Sequence, residues 1–290
     1  MIAEFANENS SGQPVGNAPS TSPDTVPVLE LRKVSKHFGG VAACDQVDVE
    51  VGAGEVVAIV GHNGAGKSTI LRIVSGVQEP DEGEIFMSGQ SVRLRSVRDA
   101  RAHGIETVPQ ELALAPKLNV AANVFLGREE IARPRFLRFL ARRSMETEAR
   151  RLVGSLGVQI PNLRVKVSSL SGGQRQGVAI ARALSWGRTV VVLDEPTAAL
   201  GVHETEEVEK TVLRMKGLGL GILLVSHDLD QVFRVADRVY VLYHGRVVGS
   251  LRPSESTHEA VLALITGTSA AKAKDHDTAS TAADDEAIAT

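Results

Sequence analysis

The chain alternates short apolar runs with stretches whose apolar residues recur every three or four positions. Runs rich in Val, Ile and Leu at 28–34, 46–51, 55–60, 84–87, 105–108, 189–193, 221–225 and 239–242 have the length and β-branched content of strands. Gly52-Ala53-Gly54 forms a turn between the second and third of them. Helix-like stretches lie at 68–74, 172–184, 204–216 and 229–235. This alternation predicts an α/β core with a largely parallel sheet. The two early strands, with 84–87 after Pro80-Asp81-Glu82-Gly83, predict a smaller antiparallel layer beside it. Residues from about 112 to 186 lack strand signals and read as a mostly helical subdomain, and no internal repeat is present.

Composition narrows the class. An apolar fraction of 43% is ample for a buried core, but with 3% aromatics that core rests on Val, Leu, Ile and Ala. The single cysteine, Cys44, allows no internal disulfide, which fits a reducing compartment. A net charge of -3 argues against a nucleic-acid partner held by bulk electrostatics. The apolar runs are strand-sized, far below the ~18–20 residues of a spanning helix. Residues 1–26 are rich in Ser, Asn, Pro and Gly and carry no export signal; they and the tail from 268 to 290 read as disordered, leaving a folded unit at 27–267.

The chemistry starts at Gly61-His62-Asn63-Gly64-Ala65-Gly66-Lys67-Ser68, followed by Thr69. It matches the phosphate-binding P-loop and stands between a strand and a helix, as that motif requires. Glycines let successive N–H groups approach phosphate oxygens, and the helix start adds its positive end. Lys67 is then placed for the β- and γ-phosphates and Ser68 for Mg²⁺. Further on, an apolar strand delivers Asp194 and Glu195 at its carboxyl end, where α/β sheets place ligands. Asp194 suits a Mg²⁺ ligand, and Glu195 suits the base that orients and deprotonates an attacking water. In isolation, the P-loop would be a glycine turn and the acidic pair a solvated strand end.

Leu170-Ser171-Gly172-Gly173-Gln174-Arg175-Gln176 is an ordinary helix cap by itself. Placed between the P-loop and the acidic strand end, it resembles the signature motif of the ABC ATPases. The resemblance covers nearly all of 28–266 and implies an α/β P-loop NTPase (RecA-like) core with a small antiparallel β layer and a helical subdomain. It also implies that Ser171, Gly172, Gly173 and Gln174 grip the γ-phosphate of an ATP held by a second copy of the chain. Gln110 resembles the Q-loop glutamine, which senses Mg²⁺ and contacts the membrane partner. His227 resembles the switch histidine at the γ-phosphate, and Phe38 the aromatic that stacks on adenine. Gly201 stands where many members carry an aspartate that links the two subunits.

Membership of that family implies an ATPase that powers a transporter, with ATP and Mg²⁺ as cofactors. Its expected partners are separate transmembrane permease subunits and, indirectly, a periplasmic solute-binding protein. Its expected place is the cytoplasmic face of the inner membrane, as a peripheral subunit. The segments at 104–129 and 195–202 resemble the ATPases of bacterial monosaccharide importers of the fructose, ribose and xylose type, many of which are tandem double-domain chains. An importer for another solute such as an amino acid, and a soluble non-transport ABC ATPase, are the alternatives. The latter usually carries coiled-coil insertions or tandem copies; the signature motif argues against a P-loop kinase or GTPase. Seven arginines between Arg133 and Arg151, interleaved with Phe136, Leu137, Phe139 and Leu140, read as the solvated face of the helical subdomain with the apolar residues turned inward. The competing reading is a membrane-surface or permease-docking helix.

Overall fold

The computed structural model describes residues 26–132, 139–186, 189–198 and 200–268. Its ten strands are β1 (Leu29–Phe38), β2 (Val41–Val51), β3 (Val56–Gly61), β4 (Glu82–Met87), β5 (Gln90–Val92), β6 (Ile105–Val108), β7 (Val190–Asp194), β8 (Gly221–Val225), β9 (Arg238–Tyr243) and β10 (Arg246–Leu251). The helices are α1 (Lys67–Val74), α2 (Val97–Ala102), α3 (Val120–Val124), α4 (Arg142–Ser155), α5 (Gly172–Trp186), α6 (Val202–Gly217), α7 (Leu229–Val235) and α8 (His258–Ile265).

The larger sheet has the order β10-β9-β3-β8-β7-β6 and is parallel except for β10. β3, β7 and β8 are buried along almost their whole length, which is why they read as unbroken apolar runs. Register brings the chemistry to one edge: Ile59 lies opposite Val225, which in turn lies opposite Asp194. The P-loop, the residues after β6, the acidic pair and the turn after β8 therefore all leave from the carboxyl ends of neighbouring strands.

The smaller sheet, β2-β1-β4-β5, is antiparallel. Leu29, Leu31 and Val34 from β1 and Val47, Val49 and Val51 from β2 face inward and share a core with Ile59, Ile70 and Ile73. A bulge lies between Leu31 and Val34, with Lys33 at φ 48°. On the other side, α3, α4 and α5 bury Val124, Met145, Leu152 and Ile180 in one cluster with Leu193, Ile222 and Leu224 of the sheet. The helical subdomain is thus continuous with the core. Among the described residues no helix is long and apolar enough to cross a membrane.

Four elements escape pattern reading. β5 has three residues, and α2 buries only Ala100, so neither can show a period. β10 is interrupted by Gly249, where a Cβ would lie 2.7 Å from Leu264 of α8; the strand accommodates the helix, which itself buries only Val261 fully.

The arginine-rich segment needs a correction. Residues 133–138 lie outside the described ones, as do 1–25 and 269–290. Beside them, Phe139 and Leu140 are exposed at 67% and 45% rather than turned inward. α4 begins only at Arg142, so its buried stripe of Met145, Ala149, Leu152 and Val153 excludes them. Arg150 and Arg151 are solvated and paired with Glu146 and Glu148, as a polar face requires.

Candidate active site

The P-loop is built around close backbone contact. Gly64 and Gly66 have φ 84° and 106°, which L side chains rarely adopt. A Cβ on Gly66 would lie 2.4 Å from the Ala43 carbonyl oxygen. Space beside Gly64 is open. The Gly66 carbonyl accepts from Thr69 and Ile70 N–H, while the amides that begin α1, at Lys67 and Ser68, have no acceptor within the helix. Behind the loop, the β9–β10 turn braces it, with Gly245 N–H donating to the Ala65 carbonyl.

These elements enclose a cavity of about 230 Å³ lined by Ala43, Asn63, Gly64, Gly66, Lys67, Ser68, Thr69, Gln110, Asp194, Glu195 and Val225. Gly61, His62 and Ala65 lie in the loop but do not line it. The His62 Nδ1–H donates to the Asn63 carbonyl at 2.7 Å, and its ring packs edge-on against Tyr243 and His244. Phe38 stands 45% exposed at the end of β1 and does not line the cavity.

The charges are arranged around it. Lys67 Nζ donates to the carbonyls of Gly61 at 2.7 Å and His62 at 3.0 Å. Burial pulls its pKa down, opposed by Glu195 and Asp194. Burial, and then the charge of Glu195, push the Asp194 carboxyl up; Arg72 and Lys67 partly oppose this. Glu195 adopts φ 46°, a conformation costing a carboxylate side chain on the order of 1–2 kcal/mol. Its N–H donates to the Val225 carbonyl at 2.9 Å, which holds it there. His227 Nδ1 lies 3.2 Å from Glu195 Oε1, although they are far apart in sequence.

Ser171, Gly172, Gly173 and Gln174 begin α5 away from this cavity; Ser171 and Gln174 line a different one, with His203 and Glu207 of α6. Gln174 N–H donates to Ser171 Oγ at 3.2 Å, and Ser171 N–H to Gln174 Oε1 at 3.1 Å. The Gly172 N–H donates to Glu204 at 2.8 Å, and the Glu204 carboxylate also accepts from Gly201 N–H at 3.3 Å. N–H donors from Gly201, Gly172 and Gly173 hold Glu204 below its ordinary carboxylate pKa. Glu204 and the Ala43 carbonyl are features that motif reading missed; a Glu three residues into a helix signals a cap, but not a bond to a second helix.

A glycine cradle on a helix start, a lysine turned onto its own loop and two carboxylates across the cavity define a P-loop nucleoside-triphosphatase. The family model described as ABC transporter matches residues 44–198. The chain is 45% identical to the fructose import ATP-binding protein FrcA of Rhizobium meliloti, an alignment covering 83% of this chain and 94% of that one. It is 43% identical to the xylose/arabinose import ATP-binding protein XylG of Sulfolobus acidocaldarius, covering 82% and 94%. Against the ribose import ATP-binding protein RbsA 1 of Rubrobacter xylanophilus it is 42% identical, covering 82% of this chain but 47% of that longer one. Among solved structures, the ADP conformation of MJ1267, an ATP-binding cassette of an ABC transporter, superposes with TM-score 0.71 at 25% identity, covering 83% and 96%. The dimeric cassette MJ0796, bound to ADP and Pi, gives 0.63 at 26%, covering 78% and 98%. The chain belongs to the ABC transporter family, and it is an ATP-binding, ATP-hydrolysing cassette.

Proposed function

We propose that this cassette powers the import of a monosaccharide through a transmembrane permease, working as a pair of identical chains peripheral to the membrane. The observation that carries this reading is the likeness to FrcA and XylG along nearly their entire length. The double-length ribose relative fits two cassettes per transporter, here supplied as two copies. A second copy also answers the separation of the α5 start from the P-loop cavity, because each cavity would then face the other chain's Ser171–Gln174 segment. A solute-binding protein outside the membrane would deliver the sugar to the permease.

In this reading the phosphates lie against Gly64, Gly66 and the amides of Lys67 and Ser68. Lys67, released from the Gly61 and His62 carbonyls, moves its charge to the β- and γ-phosphates. Ser68, Gln110 and Asp194 supply the hard oxygen donors that suit Mg²⁺, and the raised Asp194 pKa marks a carboxylate whose buried charge a cation would stabilise. When bound, Mg²⁺ neutralises charge building on the phosphate oxygens. Glu195 accepts the proton of the attacking water, and its positive φ aims it into the cavity. His227, with Nδ1 3.2 Å from the Glu195 carboxylate, stands where it can contact the γ-phosphate and the attacking water. Phe38, exposed at the end of β1, offers a face for adenine.

The test is uptake of labelled fructose, ribose and xylose by cells lacking the gene, complemented by the parent chain or by Glu195→Gln. Sugar uptake should return only with the parent. Lost uptake of an amino acid, with every sugar unaffected, refutes the sugar assignment while leaving the motor in place.

A further inference from the structure

Only three residues, Ser226, His227 and Asp228, join the end of β8 to the start of α7. The His227 side chain is 67% exposed, so its ring is aimed by the backbone beneath it rather than by packing. Both neighbours of that histidine are tied down. Asp228 caps α7, its carboxylate accepting from the Gln231 N–H at 3.1 Å. Ser226 Oγ accepts from the Asp228 N–H at 3.1 Å and donates to Gln231 Oε1 at 2.9 Å.

Gln231 is the point where these bonds meet. It is 1% exposed and Ser226 2%, so their bond lies where water does not reach and where an unpaired polar group is costly. A buried position on a helix packed against a sheet is ordinarily apolar; the amide at 231 is explained by the hydroxyl it accepts from. The next residue, Val232, packs with Ala58 and Val60 of β3 and Val239 and Val241 of β9, which holds α7 in place. On the other side of the turn, the Val225 carbonyl accepts the Glu195 N–H at 2.9 Å. The carboxylate and the imidazole are therefore set from successive residues of one strand end, Glu195 through Val225 and His227 through Ser226.

We infer that Gln231 is a positioning residue that sets the place of His227 relative to Glu195 by fixing the turn that carries the histidine. Without an acceptor at 231, the Ser226 hydroxyl is left with the Asp228 carbonyl, 3.5 Å away, and the turn relaxes around it. A shift of about 1 Å at a group that meets the reacting atoms can cost about 10²-fold in rate. None of these bonds involves the P-loop, so nucleotide affinity should be spared. This inference rests on the role proposed for His227.

The experiment is single-turnover hydrolysis of Mg-ATP by the full chain, with steady-state kinetics and Tm measured alongside. Gln231→Met keeps the side-chain length and removes the acceptor; the rate should fall about tenfold with KM for ATP within about twofold. Gln231→Glu restores an oxygen acceptor and should return the rate to within about threefold of the parent. His227→Ala alone should lower the rate about 10²-fold. Adding Gln231→Met to it should lower the rate by less than about a further twofold, although the Tm loss from Gln231→Met is the same in both backgrounds. If the Met variant fails to fold, Ser226→Ala removes the same bond from the donor side and takes its place in the comparison. An undiminished rate effect of Gln231→Met in the His227→Ala background would show a role that does not pass through His227 and overturns the inference. A parental rate in Gln231→Met overturns it too, as does a Gln231→Glu chain with parental Tm and no recovery. A parental rate in His227→Ala overturns the role proposed for His227, and this inference with it.

Discussion

Gly66→Ala and Gly64→Ala change nearby positions of one loop by the same methyl group, yet the first should cost about twice as much as the second. Both glycines have positive φ, 106° and 84°, so each alanine carries backbone strain of about 1–2 kcal/mol. At Gly64 nothing lies within 4 Å of the added carbon, and strain is the whole cost. At Gly66 the carbon meets the Ala43 carbonyl oxygen at 2.4 Å, far inside the 3.4 Å where ordinary contact begins. That oxygen belongs to Ala43, the extra residue of a bulge between the paired Ala42 and Cys44 of β2, whose flanking pairs limit how far it can yield, so overpacking adds about 1–3 kcal/mol. The expected loss is therefore about 2–5 kcal/mol for Gly66→Ala against about 1–2 for Gly64→Ala. For a folded unit of this size these become Tm shifts of about 4–20 °C and about 2–8 °C, readable by far-UV circular dichroism without nucleotide. Equal Tm values for the two variants would refute the reasoning, because they would show that the Ala43 carbonyl is not a fixed neighbour.

Binding and chemistry should separate. Lys67→Ala should weaken Mg-ATP affinity, whereas Glu195→Gln should leave affinity within about threefold and cut turnover by about 10²–10⁴-fold. By size exclusion with Mg-ATP, Glu195→Gln should collect as a dimer that a second change, Ser171→Arg, abolishes; near-parental turnover in Glu195→Gln would remove Glu195 as the base. Asp194→Asn should stabilise the nucleotide-free chain. The Asp194 pKa lies above its ordinary 3.8 in the folded state, so between the two values the folded state binds more protons and the parent loses stability as pH rises. The Tm advantage of Asp194→Asn should therefore be absent below pH 3.8, grow above it and then level off, and it should reverse when Mg-ATP is added; an advantage independent of pH would contradict the desolvation argument.

Residues within a contiguous motif could be placed from sequence, while contacts to a distant peptide group could not. Lys67, Ser68, Asp194 and Glu195 could be placed because each follows a strand in a motif whose spacing carries the geometry. The strands themselves stood out because burial on both faces leaves no polar position to break the run, as in β3 and β8. By contrast, nothing local in the sequence ties Glu204 to Gly172, or the Ala43 carbonyl to Gly66. These pair a side chain or glycine with a peptide group, and every residue has a peptide group, so no residue type marks the acceptor. Phe139 and Leu140 mislead for a related reason: apolar spacing suggests a buried face, but only the true start of α4 decides which residues lie on it.

The start of α5 shows how the bland and functional readings of Ser171-Gly172-Gly173-Gln174 can both hold. The reciprocal bonds of Ser171 and Gln174 form a capping box, so the segment is a satisfied helix cap within one chain. In that box, however, Ser171 Oγ only accepts; its hydroxyl proton is still available for an anion. Glu204 takes the Gly172 N–H and draws on that of Gly173, so a phosphate from the facing chain would be offered the Ser171 hydroxyl rather than the whole helix terminus. The same carboxylate reaches the Gly201 N–H, at the position where many family members carry an aspartate. With no side chain at 201, Glu204 supplies the charged link between the α6 start and the α5 start, and it lies within a single chain. Under the proposed pairing of two cassettes, the acidic loop after β7 would then pass its position to the facing nucleotide through Glu204 and the α5 cap, not through a direct contact made by residue 201.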